Sequence, residues 1–214
     1  GADLRGINLH GTNLDGVDLS GTDLTGANLS FQDLSSMDVS SMILDNTILY
    51  KINLSGANLS GKNLSGLNIK LSNLMSTDFE FSDLSFAHLT NSVIHTTNFS
   101  HTNLENAHLN DAYITNTDFS NSNISGVNFH HSFILSSDFR DTKLDNVDFS
   151  NAVLAESNFD SQDFQYVDLT NADFSPKKFG KYDGGVTEFS GAFLNNADLS
   201  NKDLSSVIFS RENL

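Results

Sequence analysis

An apolar residue stands at every fifth position of this chain, in one unbroken phase from Leu4 to Leu214. Of these 43 positions, 42 hold Leu, Ile, Val or Phe, and the exception is Gly184. A period of five fits neither the 3.6-residue turn of an α-helix nor the two-residue alternation of a strand, so the pattern predicts a repeat architecture. We therefore expect one domain that covers residues 1–214.

The residues around each apolar centre also repeat. The position before the centre usually holds Asp or Asn, and the position two before it usually holds a small residue such as Ala27 or Ala57. Tandem segments such as Ala27–Ser30 and Ala57–Gly61 follow the motif A-(D/N)-L-x-x. The chain therefore resembles the pentapeptide-repeat family along its whole length. This resemblance implies an all-β fold, a right-handed quadrilateral β-helix in which four successive pentapeptides form one coil.

The spacing of phenylalanine supports a coil of four pentapeptides independently of the resemblance. Phe occupies centres only from Phe79 onward, and one set recurs at every fourth centre: Phe79, Phe99, Phe119, Phe139, Phe159 and Phe179. This spacing predicts one column of stacked rings. A second column two faces away is expected to contain Phe129, Phe149, Phe189 and Phe209. A chain of this length would form about ten to eleven coils.

Composition limits the classes of partner. The formal net charge of −16 disfavours direct binding to nucleic acid or to an anionic membrane. The absence of Cys excludes disulfides and zinc–thiolate sites. No segment of the sequence has the length and hydrophobicity of a membrane span. We expect a cytoplasmic bacterial protein, with a secreted effector domain as the alternative.

Residues for catalysis or metal binding are not grouped in the sequence. His88 and His108 are one coil apart, so their rings are expected to stack, but no third ligand lies within reach. No Ser lies in a nucleophile-elbow sequence, and the glycines form no phosphate-binding loop. We therefore expect no enzymatic activity, no cofactor and no metal site.

One outward column is acidic. Six of its ten positions hold Asp, and we call these residues the acidic ladder: Asp18, Asp38, Asp78, Asp118, Asp138 and Asp198. Carboxylates repeated at steps of about 4.8 Å repel one another. Such an array suggests a DNA mimic that binds a type II topoisomerase (DNA gyrase), as the quinolone-resistance members of the family do. The alternative is that Asp is simply the motif residue and bonds to the backbone of the turn.

The adjacent face carries apolar residues where the motif has Asp or Asn. Four successive coils show this replacement, at Val93, Tyr113, Phe133 and Val153. We call these residues, together with the flanking Leu135 and with Phe193 later in the same column, the apolar stripe. A contiguous exposed apolar patch usually marks an interface. The stripe therefore predicts a dimer or partner interface. The alternative is that another segment of the protein covers it.

The segment 176–185 departs from the motif. Gly184 replaces the apolar centre, which predicts a short loop interruption near 180–185. The segment holds a basic cluster and an aromatic residue: Lys177, Lys178, Lys181 and Tyr182. This loop is either a partner contact or a tolerated surface bulge. Large residues two before a centre, such as Lys62, are expected to distort the coil locally.

These patterns favour a non-catalytic binding or scaffold module that acts by protein–protein interaction. Self-association through the apolar stripe is the mechanism that we expect. The alternative function is the acidic DNA mimic that binds DNA gyrase.

Overall fold

The computed structural model describes residues 1–164, 166–175, 186–190, 192, 199 and 202–209. Within these ranges the chain forms short strands and single parallel bridges and contains no helix. The strands are β1 (Val93–His95), β2 (Tyr113–Thr115), β3 (Phe133–Leu135), β4 (Thr187–Glu188) and β5 (Val207–Ile208). Strands β1, β2 and β3 form one parallel sheet in that order, and β4 pairs in parallel with β5.

Parallel pairing between pentapeptides four repeats apart builds the fold, as the phenylalanine spacing predicts. Asp3 pairs with Asp23, for example, and this spacing continues as far as the pair Val153 and Asp173. The pentapeptides therefore stack in four rows. We name each row by its first centre: the first row begins at Leu4, the second at Leu9, the third at Leu14 and the fourth at Leu19.

The hydrogen bonds of one pentapeptide explain the motif. In Ser82–Phe86, three backbone N–H groups donate to carbonyls of neighbouring coils, and one donates to the carbonyl of the preceding centre. The remaining N–H, that of Ser85, donates to the Asp83 carboxylate at 2.9 Å. Where the residue before a centre is Asp or Asn, it thus accepts the one N–H that the ladder leaves unpaired, and every backbone donor of this pentapeptide is satisfied.

The apolar centres form a continuous core. Phe79, Phe99, Phe119, Phe139 and Phe159 stack in the fourth row, with ring centroids 4.7–5.2 Å apart. Phe129 and Phe149 stack in the second row at 5.0 Å. The two columns meet edge to face, since Phe119 and Phe129 lie 5.9 Å apart with their planes at 90°. The predicted phenylalanine columns are therefore confirmed as far as Phe159.

The pairing period changes near the end of the described chain. Val153 still pairs with Asp173, at the usual separation of one coil, but Asn158 pairs with Glu188 instead of the residue at position 178. Two additional pentapeptides therefore lie between Asp173 and Glu188. The acidic column is predicted from a constant spacing of 20 residues, and this spacing is corrected after Asn158, because Glu188 lies beside it.

The same change corrects the second phenylalanine column. Phe189 stacks on Phe159, with centroids 5.4 Å apart, and Phe209 stacks on Phe189 at 5.7 Å. The prediction that Phe189 and Phe209 continue the Phe129 column is therefore wrong. An insertion of two pentapeptides preserves the five-residue phase but moves each later pentapeptide by two rows. Phe179, the range 180–185 and the residues Lys177, Lys178, Lys181 and Tyr182 lie outside the described residues.

The ladder is interrupted within the first four coils. Residues 13–20 form no backbone hydrogen bond with residues 33–40, and residues 43–46 form none with residues 63–66. Lys62 occupies the inward position two before a centre, and its Nζ donates to the Met42 carbonyl at 2.7 Å. The expected local distortion at Lys62 is thus observed, because its long side chain replaces regular pairing at this point.

Candidate functional site

The described members of the apolar stripe lie on neighbouring coils of the third row. Val93, Tyr113 and Phe133 are the first residues of β1, β2 and β3, and they pair in register. Val153 pairs with Phe133 through a single bridge. The residue after each is a fully buried centre, so alternation along the strand turns the stripe outward. Phe193 lies outside the described residues.

The stripe is partly open to solvent and free of charge. Val93 and Tyr113 are 41% and 45% exposed, while Phe133, Leu135 and Val153 are half-buried. The rings of Tyr113 and Phe133 stack, with centroids 5.1 Å apart and planes 3° apart. The outward positions of the third row between residues 93 and 155 hold no Asp, Glu, Lys or Arg. Glu156 at the next corner of the row accepts a hydrogen bond from the Ser136 Oγ at 3.1 Å. The row therefore presents an apolar surface bordered by one carboxylate.

The backbone adapts to the apolar residues of the stripe. An apolar side chain cannot accept the N–H two residues later, which Asp or Asn accepts elsewhere. In β1–β3 the parallel pairing extends over three residues instead, so that His95 pairs with Thr115 and Thr115 with Leu135. His95 and Thr115 are also joined by a side-chain hydrogen bond of 2.6 Å between Nδ1 and Oγ1. The stripe thus replaces the motif residue without ending the ladder.

The described part of the acidic ladder lies in the fourth row. Asp18 and Asp38 are exposed, and the three later members are half-buried. Each carboxylate accepts a hydrogen bond from the backbone N–H two residues later, at 2.8–3.0 Å. These bonds give the Asp residues the turn-stabilising role that was the alternative to mimicry. Asp198 lies outside the described residues.

Hydrogen bonding keeps several of these carboxylates ionised. Bonds from Ser20 hold the pKa of Asp18 below its usual value, and bonds from Ser40 do the same for Asp38. Burial raises the pKa of Asp138. The hydrogen bonds and the charge of Arg140 lower this pKa by more than burial raises it, so the net shift is downward. Arg140 also forms an ion pair with Asp138 at 2.6 Å. The row is therefore negative at neutral pH, with one carboxylate neutralised.

The histidine pair stacks as predicted. The rings of His88 and His108 lie 4.7 Å apart with planes 4° apart. Burial lowers the pKa of His88, and the nearby charges of His108 and Lys70 lower it further. Within the described residues, no three His, Cys, Asp or Glu side chains come together in a way that could hold a metal ion. The described part of the chain also contains no helix that could cross a membrane.

Aromatic residues at the corners are a feature that the repeat motif does not predict. Most positions two after a centre adopt a positive φ, and Phe or Tyr occupies four of them: Phe31, Phe81, Phe86 and Tyr166. All four are more than half exposed. The sequence signal was a bulky residue at a position where Gly or Asn is usual, but the sign of φ could be read only from the structure.

A sequence comparison connects the repeat with a known family. The family model for pentapeptide repeats matches in eight copies, over residues 1–30, 22–61, 52–91, 72–111, 95–130 and 137–175. These segments together cover well over half of the chain. No curated protein sequence matches the chain significantly.

Several solved pentapeptide-repeat structures are similar to the chain. Full-length QnrB1, a plasmid-mediated fluoroquinolone resistance protein, shows 18% identity and a TM-score of 0.40, covering 100% of this chain and 92% of its own. HetL, which is involved in heterocyst differentiation regulation in Nostoc sp. strain PCC 7120, shows 16% identity and a TM-score of 0.34, with coverages of 99% and 86%. A thylakoid-lumen protein of Arabidopsis thaliana shows 24% identity and a TM-score of 0.37, with coverages of 44% and 68%.

Proposed function

Because the chain belongs to the pentapeptide-repeat family, we propose that it is a non-catalytic interaction module that self-associates through the apolar stripe. The observation that carries the proposal is the stretch of the third row between residues 93 and 155, whose outward side chains are uncharged and on which Val93 and Tyr113 are exposed. Removal of such a patch from water is favourable in proportion to its apolar area. The stripe therefore has a physical reason to be covered.

Charge favours a second copy of the chain as the occupant. Two molecules that each carry a formal charge of −16 repel one another over most of their surfaces. The third row lacks charged residues between residues 93 and 155, so two copies meet there with the least repulsion. A two-fold arrangement places the same patch on both sides of the contact, which suits a regular row of side chains.

The proposal extends to the whole chain and its location. We infer a single domain over residues 1–214, a right-handed quadrilateral β-helix of about ten to eleven coils with a loop interruption near 180–185. The regular parallel pairing of successive coils supports this architecture. We place the module in the bacterial cytoplasm, with a secreted effector domain as the alternative. The lack of Cys supports a location that does not depend on disulfides.

Sedimentation equilibrium tests the proposed interface. In the test variant Val93, Tyr113, Phe133 and Val153 are all replaced by Asn, which restores the motif residue and its backbone acceptor. The matched control carries Ile43→Asn and Ile48→Asn, which replace apolar residues at the same motif position in other rows. We expect the wild type and the control to dimerise and the stripe variant to remain monomeric, with little change in Tm. Phe133→Asp is expected to act in the same direction as the stripe variant.

Two results would contradict self-association through the stripe. The first is a wild type that stays monomeric at low and high salt. The second is a stripe variant that dimerises as well as the wild type. A large fall in the Tm of the stripe variant would show that the side chains pack within the fold, which also opposes the interface.

The acidic ladder supports a second candidate function, a DNA mimic that binds DNA gyrase. Its support is the run of carboxylates along the fourth row, in which hydrogen bonds lower the pKa of Asp18 and Asp38. Binding to gyrase should then weaken steeply with salt. Replacing Asp78, Asp118 and Asp138 together by Asn should abolish binding and preserve the turns, because Asn accepts the same backbone bond. Binding that survives this triple change would exclude mimicry.

A further inference from the structure

Two exposed phenylalanine rings flank one polar stretch of the first row. Phe81 and Phe86 lie at successive corners, with φ of 59° and 58°, and they are 64% and 57% exposed. The left-handed region disfavours bulky side chains, and an exposed ring gains little from folding. Burial therefore does not account for a large apolar ring at both corners, and their exposure favours a surface role.

In the preceding coil, the corner equivalent to each of these rings is a glycine. Phe81 stacks on His101 on one side, with centroids 4.9 Å apart and planes 14° apart. On its other side the same position is Gly61, where an added Cβ would meet no atom within 4 Å. Gly66 precedes Phe86 in the same way and is equally open. The face of Phe81 that points away from His101 is therefore accessible to a ligand.

A polar cleft lies between the two glycine corners. It has a volume of about 230 Å³ and is lined by Asp45, Asn46, Asn63 and Ser65. All four residues are exposed. The cleft exists because residues 43–46 and 63–66 form no backbone hydrogen bonds with each other. Its lining offers carboxylate, amide and hydroxyl groups, which together donate and accept hydrogen bonds.

Asn63 has a donor that no described residue uses. Its Oδ1 accepts the Ser65 N–H at 3.2 Å, as the motif requires. In the same row, the Asn103 amide donates to Asp83 of the preceding coil at 3.1 Å. The corresponding residue before Asn63 is Ile43, which has no side-chain acceptor. The Nδ2 of Asn63 is therefore available to a ligand in the cleft.

We propose that Phe81, Phe86 and this cleft bind a neutral, unbranched oligosaccharide. The negative face of an aromatic ring attracts the polarised C–H groups of a sugar ring, and the cleft supplies partners for its hydroxyls. The net charge of −16 opposes acidic polysaccharides and nucleic acids. The three extended residues between the two corners, 82–84, span roughly 10 Å at about 3.3 Å per residue, so the rings contact different sugar units. The site lies in the first row and leaves the apolar stripe of the third row free.

Isothermal titration calorimetry of the full chain with cellohexaose and with chitohexaose tests the proposal. The variants are Phe81→Asn and Phe86→Asn, singly and together. Asn occupies the same corner conformation at Asn91 and Asn121, so the changes relieve strain. The matched control is Phe31→Asn, another exposed corner phenylalanine, whose ring contacts His10 and Tyr50. A third variant, Asn63→Asp, keeps the turn acceptor and removes the free donor.

We expect at least one of the two hexasaccharides to bind the wild type and the Phe31→Asn control equally. Each single Phe variant should bind about tenfold more weakly, which corresponds to ~1.4 kcal/mol, and the double variant should show no binding. Asn63→Asp should also weaken binding. The Tm of the double variant should equal or exceed that of the wild type.

Several results would overturn the oligosaccharide site. One is the absence of binding of both hexasaccharides to the wild type at millimolar concentration. Another is binding that persists in the double variant or that falls equally in Phe31→Asn. A marked drop in Tm for the double variant would show that the rings stabilise the fold, and this would also refute a binding role.

Discussion

At the scale of single residues, the side chain of the Asp or Asn before a centre accepts a hydrogen bond from a backbone N–H. Asp118 accepts the Ser120 N–H at 2.8 Å, and Asn98 accepts the Ser100 N–H at 2.9 Å. Because the two residue types accept the same bond, the turn itself does not select for charge. The excess of Asp in the fourth row therefore remains available for a surface role, which is the basis of the mimicry candidate.

Acid titration should destabilise the fold in two stages. Burial lowers the pKa of His88 below 6.5, so the unfolded chain takes up this proton first as pH falls, and stability declines below about pH 6.5. Hydrogen bonds from the Ser two residues later lower the pKa of Asp18, Asp33 and Asp38. Their stabilising contribution is present above the unfolded pKa near 4 and is lost as pH falls through the lower folded value.

Thermal melts from pH 8 to pH 3 check this prediction, with about 0.2 M NaCl to screen general repulsion. His88→Asn serves as the control, because Asn68 and Asn128 occupy the same column. The variant should lose part of the decline between pH 7 and pH 5 and keep the decline below pH 4. A wild-type Tm that stays constant over the upper interval would contradict the role of His88.

At the scale of the strands, regular backbone hydrogen bonding between neighbouring coils depends on the size of the residue two before each centre. Ala87 and Ala107 are buried at this position, and the ladder is continuous beside them. Lys62 instead extends its ammonium to the Met42 carbonyl, and burial lowers its pKa. A desolvated charge at an inward position opposes folding unless it is fully compensated.

Replacing Lys62 by Ala should stabilise the protein. The change restores the common small residue, removes a partly buried charge and allows residues 43–46 to pair with residues 63–66. A gain of about 1 kcal/mol would raise the Tm by roughly 2–4 °C for a chain of this size. Lys70→Ala is the control for the loss of one positive charge. If Lys62→Ala lowers the Tm, the bond to Met42 outweighs the cost of burying the ammonium.

Charge and row position divide the whole molecule into distinct surfaces. The third row holds the uncharged apolar stripe, the fourth holds the acidic ladder, and the first holds the cleft lined by Asn63 and Ser65. Each row keeps its character over several coils, because equivalent residues of successive coils lie side by side. A solenoid of this kind can therefore present separate binding surfaces without a pocket that brings all rows together.

The local sequence pattern was sufficient to predict most of the buried core. An apolar residue at every fifth position, with Phe repeated once per coil, predicts which side chains are buried and which rings stack as far as Phe159. The outward position of the apolar stripe follows from the same pattern, since each stripe residue lies next to a centre along the chain. These features depend on neighbours at fixed sequence separation, so a single sequence contains the necessary information.

The sequence by itself determined the repeat, the family and the identity of the buried centres, because each pentapeptide encodes its own turn and its own core residue. Only the tertiary structure decided which rows stack after Asp173, because an insertion of two pentapeptides leaves the period of five intact and shifts the pairing by two rows. It also decided the positive φ of Phe81 and Phe86 and the cleft beside Asn63. These features depend on contacts between coils, and a five-residue motif does not specify them.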